Sequence, residues 1–298
     1  MKKFLINNLL FGCYFILIFS TLELIFKNTI PSADRYKWQY EELFSPTVKA
    51  DIVIFGTSKS VRGINPKLIE KNNISVYNFA LNGSNPEFIF KWYNKFFKKY
   101  YPKPKLVIFE INWLMFNEKW MSRDIEQDSK YFPTSDYLNE IFISAENKVT
   151  TFFNRYYILN RTFGTGGVID STYNGYTPLA YNIKNFKPIS DFKPFNPNRQ
   201  QKFFDMLLET FNKDNLDVIF VMLPERINPR LPSYSIVKEN TDYIEEKIEK
   251  YVYLNYHNEF DNDSLFNDWG HLNIKGAKIL SELMKKDIEA KTHNTFNR

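Results

Sequence analysis

The chain is almost without cysteine. Its one thiol, Cys13, lies inside an N-terminal apolar run, so no intramolecular disulfide can form. Thiol catalysis and a cysteine-based zinc site are closed to the rest of the sequence. Histidine is nearly as scarce, and any mechanism that needs imidazole must choose among His257, His271 and His293. A second long apolar run is missing, which limits the chain to one membrane crossing. No block of one charge sign occurs either. The 39 basic and 34 acidic residues are interspersed, and a net charge of +5 describes a solvated surface rather than a nucleic-acid footprint. Asp261 and Asp263 lack the turn glycine and closing glutamate of a calcium loop, so neither a metal nor a cofactor is expected.

What the chain does have is apolar and aromatic bulk. Of its 298 residues 44% are hydrophobic and 18% aromatic, enough for one large core or two small ones. The first such stretch runs from Phe4 to Phe26, interrupted mainly by Asn7, Asn8 and Glu23. A helix rising about 1.5 Å per residue needs roughly 20 residues to cross a bilayer core, so this run suffices. Lys2 and Lys3 favour a cytoplasmic N-terminus, which sends the remainder to the extracytoplasmic side. No small-residue cleavage site follows. The expectation is an uncleaved single-pass anchor over 4–26 in the cytoplasmic membrane and a linker over 27–49. Two other readings stay open: a lipoprotein box at Leu10-Phe11-Gly12-Cys13, which bulky Phe11 fits poorly, and a buried helix of a cytoplasmic protein.

Beyond the linker, short β-branched and aromatic runs alternate with helical patterns. Strands are expected at Asp51–Phe55, Val76–Leu81, Leu106–Ile111, Val218–Leu223 and Val252–Leu254. Helices are expected after Asn65-Pro66, over Pro86–Tyr101, Gln200–Asn212, Asp242–Lys250 and Ile274–Ile288. That order predicts an α/β domain over 50–290: a doubly wound, mainly parallel sheet, a flavodoxin-like α/β/α sandwich. Residues 117–199 break the rhythm. They read as an aromatic-rich insertion, helical near 136–153 with a Gly164–Gly167 loop, covering one sheet edge.

In open α/β sheets ligands gather beyond the carboxyl ends of the strands. Gly56-Thr57-Ser58, Asn82-Gly83-Ser84, Asn112 and the Asp268–His271 turn all fall there. A serine is a poor nucleophile until a base takes its proton. His271 is the credible base, and Asp268, three residues earlier, can fix its tautomer from the same turn. The Gly83 amide and the Asn112 side chain are candidate oxyanion donors from adjacent strand ends. His257, in an Asn- and Glu-rich stretch, and His293, in the tail, are expected to be solvated. Asp268, by contrast, is expected to sit in an open crevice.

These segments carry a family resemblance. FGTSKSVRG resembles the first block of the SGNH hydrolases, with Thr57 in place of the usual Asp and Ser58 in the nucleophile position. NFALNGSNPEF is similar to the second block, whose oxyanion glycine falls on Gly83. LVIFEINW resembles the third and puts Asn112 in the asparagine role, although Glu110 and Trp113 depart from its pattern. NDWGHLN resembles the fifth, with Asp268 and His271. The anchor and the DWGHLN ending look more like the DltD-type and alginate-acetylation-type members than like secreted lipases. Such a resemblance implies Ser-His-Asp acyl-ester chemistry, as O-acyltransferase or esterase, on an acylated cell-envelope glycan or teichoic-type polymer. A membrane-bound O-acyltransferase is the implied partner. A non-catalytic anchored accessory or binding protein is the alternative, and a plain deacylase of small acetyl esters a third reading.

Overall fold

The computed structural model describes residues 2–29, 48–71, 73–117, 174–179, 196–227, 230 and 234–291. The helix expected near 136–153, the Gly164–Gly167 loop and the tail holding His293 lie outside them. The first helix, α1 (Lys2–Thr29), belongs to a unit separate from the sheet. Its stretch Lys2–Thr21 has a mean hydropathy of 1.8 and is the one candidate span among the described residues. By length and composition it can cross a bilayer or serve as a signal sequence.

Five short runs form one sheet: β1 (Ile52–Phe55), β2 (Val76–Asn78), β3 (Leu106–Ile111), β4 (Val218–Met222) and β5 (Val252–Asn255). They lie in the order β2-β1-β3-β4-β5 with every neighbouring pair parallel. The four strands β1 to β4 are buried along their whole length, which explains why they are apolar apart from Asn78 and Glu110. Side chains alternate between the faces. Ile52 and Ile54 of β1, Leu106 and Ile108 of β3, and Ile219 and Val221 of β4 point into an aliphatic cluster with Ile64, Leu280 and Met284. The other face is aromatic. Phe55 meets Trp92 edge-on at 5.8 Å and Phe97 at 5.4 Å, and Phe109 lies 5.6 Å from Phe220.

The helices that cover these faces follow β1 in sequence. Ser58–Gly63 is α2, and Pro66–Ile69 is α3, capped by Asn65 Oδ1 accepting from Lys67 N at 3.1 Å. Pro86–Trp92 is α4, which continues through a π-turn (Tyr93–Phe97) and a last α-turn (Lys98–Tyr100). Then come α5 (Asn198–Lys213), α6 (Tyr234–Ile248) and α7 (Ile274–Lys291). Helices α3 and α7 pack together on the aliphatic side, α4 and α5 on the aromatic side. That is the doubly wound arrangement. Of the 117–199 insertion, the described piece 174–179 runs along β2, the sheet's edge. Asn78 N donates to Asn174 O at 2.8 Å, Thr177 N donates to Val61 O at 2.9 Å, and Tyr176 is buried in the aliphatic cluster.

Candidate active site

The chain leaves β1 through Gly56 and enters α2 at Ser58. Gly56 is needed for room: an added Cβ would stand 2.6 Å from Glu110 Oε2 and 2.7 Å from Ser60 Oγ. Thr57 caps the helix, its Oγ1 accepting from Lys59 N at 3.3 Å. The buried carboxylate of Glu110, on β3, fixes this turn from below. Its Oε2 accepts from Thr57 N at 2.7 Å and Thr57 Oγ1 at 2.9 Å, and its Oε1 accepts from Asn112 Nδ2 at 2.7 Å.

The structure brings Ser58, His271 and Asp268 together. Ser58 Oγ lies 2.8 Å from His271 Nε2, and His271 Nδ1 lies 2.9 and 3.0 Å from the two carboxylate oxygens of Asp268. A carboxylate can only accept, so the ring proton sits on Nδ1 and Nε2 is the free acceptor that faces the serine. Asp268 is itself held. Its Oδ1 accepts from the Gly270 and His271 amides, each at 2.9 Å. Burial pushes the Asp268 carboxyl up, but the His271 bond and charge, with the Gly270 amide and Asn267, outweigh it and leave it lowered. The other nearby serines are engaged elsewhere: Ser84 Oγ donates to Gly56 O at 2.8 Å, and buried Ser60 Oγ faces Glu110.

The cavity above the serine is lined by Ser58, Gly83, Asn85, Leu114, Trp269 and His271, among others. Gly83 has φ of 66°, a left-handed turn that favours glycine. Among the described residues neither the Ser58 amide, at the start of α2, nor the Gly83 amide has a hydrogen-bond partner. Asn85, buried at 1% exposure, also keeps a partnerless Nδ2, while its Oδ1 caps α4 through Phe88 N.

Two expectations need correction. Asn112 lines the cavity, but both Nδ2 hydrogens are engaged, with Glu110 Oε1 at 2.7 Å and Thr57 Oγ1 at 3.2 Å. Its Oδ1 caps the 3-10 turn Trp113–Phe116 through Leu114 N and Met115 N. The side chain therefore has no free hydrogen for an oxyanion; it anchors Glu110 instead. His257 is not solvated. It is half-buried, its Nδ1 has no partner among the described residues, and burial, then Lys59, pushes its imidazole down to about 4.

Lys59 and Glu225 were not singled out from the sequence. Lys59 is 5% exposed, and its ammonium is ion-paired with Glu225, just past β4. Burial pushes the Lys59 ammonium down, to about 7, against the upward pull of Glu110 and Asp268. Among the described residues no group of three His, Cys, Asp or Glu side chains could hold a metal ion.

No protein-family model matches the chain, and no curated protein sequence does. Solved structures similar to it include a lipase/acylhydrolase from Enterococcus faecalis, at 13% identity over 80% of this chain and 95% of that one, with a TM-score of 0.43. A GDSL-like lipase from Bacteroides thetaiotaomicron shares 13% identity over 86% of this chain and 98% of that one, also at 0.43. An acetyl xylan esterase shares 11% over 80% and 98%, again at 0.43. At such identities and scores these likenesses carry no weight for function. The geometry of the site does.

Proposed function

We propose that the chain is a serine acyl-ester enzyme of the SGNH type in which Ser58 is the nucleophile, His271 the base and Asp268 its orienter. The observation that carries this reading is the continuous hydrogen-bonded line Ser58 Oγ, His271 Nε2, His271 Nδ1, Asp268, with contacts of 2.8 and 2.9 Å. Ser58 Oγ adds to the acyl carbonyl while His271 Nε2 takes its proton. The resulting oxyanion is met by the Gly83 amide and the Ser58 amide, two donors that have no partner among the described residues. The tetrahedral adduct expels the alcohol, which takes the proton back from His271, and the acyl group stays on Ser58. Water or a sugar hydroxyl, activated by His271, then removes it. Transfer and hydrolysis share every step but this last.

The finer reading rests on the sequence: α1 anchors the protein in the cytoplasmic membrane with the α/β domain outside, where acylated envelope polysaccharide or teichoic-type polymer is the substrate. A membrane-bound O-acyltransferase is the partner that fits such a placement. The test is labelling of the full-length chain in detergent by a fluorophosphonate. Wild type should label, and Ser58→Ala should abolish labelling and ester turnover while unfolding at the wild-type temperature. Labelling that survives Ser58→Ala but disappears in Ser84→Ala or Ser60→Ala would move the nucleophile. A folded wild type that never labels would leave an anchored binding protein.

A further inference from the structure

A helix start next to a nucleophile has no need of a long cation, yet Lys59 directly follows Ser58 and its ammonium is buried. Three separate elements meet on it. Glu225, past the end of β4, pairs with it through a side chain that is itself fully buried. The second carboxylate oxygen of Glu225 accepts from Trp113 Nε1 at 3.0 Å, just past β3. Trp269, in the loop that carries Asp268 and His271, presents its ring 5.7 Å from the ammonium. The Lys59 stem also runs beside Gly270, where an added Cβ would stand 3.7 Å from Cε. The same post-β4 segment grips that loop through its backbone, Arg226 N donating to Trp269 O at 2.8 Å.

The charges that bear on Lys59 come from each neighbouring element: Glu110 on β3, Glu225 after β4, His257 after β5, and Asp268 with His271 in the loop. Three carboxylates thus bear on one ammonium, and one of them, Asp268, also holds the His271 ring. Resting on the assignment of Ser58, His271 and Asp268 as the reacting set, we infer that Lys59 and Glu225 are a positioning pair. The pair locks the 268–271 loop against α2 and sets a balanced pair of charges beside the reacting residues.

The test is the pH profile of Ser58-dependent fluorophosphonate labelling, with the full-length chain in detergent. Lys59→Met removes a positive charge and should move the acid limb to higher pH by about one unit, the order of magnitude for a unit charge near the site at an effective dielectric of about 20. Glu225→Gln removes a negative charge and should move the limb the other way. The double variant Lys59→Met/Glu225→Gln should bring the limb back towards wild type with a plateau about tenfold lower, because the loop is then less firmly held. Opposite shifts are a signature that a merely structural pair cannot give. Superimposable limbs, or two single variants moving in the same direction, would overturn the inference. If Lys59→Met does not fold, the downward shift in Glu225→Gln decides alone, since glutamine keeps the shape. A wild type with no Ser58-dependent labelling would instead refute the reaction itself, and the inference with it.

Discussion

Replacing Glu110 by glutamine exchanges one oxygen for a nitrogen of similar size and asks whether a carboxylate is what builds the Thr57–Ser58 turn. Thr57 N at 2.7 Å, Thr57 Oγ1 at 2.9 Å and Asn112 Nδ2 at 2.7 Å all face it as donors. Thr57 Oγ1 already accepts from Asn112 and Lys59, so its own hydrogen goes to Glu110. A glutamine offers one acceptor oxygen. If its nitrogen faces Thr57 it opposes an amide and a hydroxyl; if it faces Asn112 it opposes another NH2. Even the milder choice removes one charge-assisted bond, worth about 1.5–3 kcal/mol, and orphans a buried donor at about 1–3 kcal/mol. Relief from burying a charge offsets part of this. A net loss of about 3 kcal/mol is expected, which for a domain of this size lowers the melting temperature by roughly 6–12 °C. Thermal unfolding of the full-length chain in detergent, followed by near-UV circular dichroism, measures it. The labelling rate should fall as well, because the Thr57–Ser58 turn loses its floor. A variant that melts within 2 °C of wild type and labels at the same rate would refute the account of Glu110.

Three further outcomes are expected. His271→Ala should lower ester turnover by about 10² to 10⁴, the usual worth of general-base catalysis, while Asp268→Asn costs less because an imidazole remains in place. The carboxyl of Asp268 is lowered from its usual 3.8, so its contribution to stability is present above that value and lost as pH falls through the lower folded value. The urea midpoints of wild type and Asp268→Asn should therefore differ only slightly at pH 7, since the side chain is 41% exposed, and converge in strong acid. An alkaline phosphatase fused to the C-terminus should be active in cells and a reporter that works only in the cytoplasm silent; the reverse would overturn the proposed placement.

The sheet was legible because a strand buried on both faces is a nearly continuous apolar run: the residues after Asp51 up to Phe55 and the run Val218–Leu223 are wholly apolar, and Leu106–Ile111 is broken only by Glu110. Departures arise where a side chain or a distant contact decides. The second strand was expected to reach Leu81, but ladder pairing stops at Asn78. There the Asn78 amide donates to Ser60 O at 2.9 Å while its oxygen accepts from Ala80 N at 3.0 Å, bonds that no pattern of hydropathy encodes. Helix α6 begins at Tyr234, not Asp242. Its first turns carry Tyr234, Ile236 and Val237 before a polar stretch, and Val237 packs with Trp113 and Leu114, over a hundred residues away in the chain. The π-turn at Tyr93–Phe97 escaped notice because an aromatic run of that density reads as one helix whichever turn it takes.

Within the site the same division holds, and it follows from sequence distance. Asp268 binds Gly270, His271 and the His271 ring within a single turn, so the Asp-x-x-His spacing suffices to suggest it. The meeting of His271 with Ser58 spans 213 residues, and could be anticipated only because both stand beyond strand ends of one parallel sheet. Glu110 and Glu225 lie 53 and 166 residues from their partners Thr57 and Lys59, and nothing local announces either bond. Yet one signal was there. Glu110 is a carboxylate inside the run Leu106–Ile111, between two fully buried apolar residues. A charge cannot stay in such a strand without donors directed at it. A buried carboxylate at that position therefore marks a second layer beneath the Thr57–Ser58 turn, and the donors that satisfy it include the Asn112 amide that the sequence had suggested for an oxyanion. One bond of 2.7 Å thus both satisfies the Glu110 carboxylate and removes a hydrogen of Asn112 from the donors that could face a ligand.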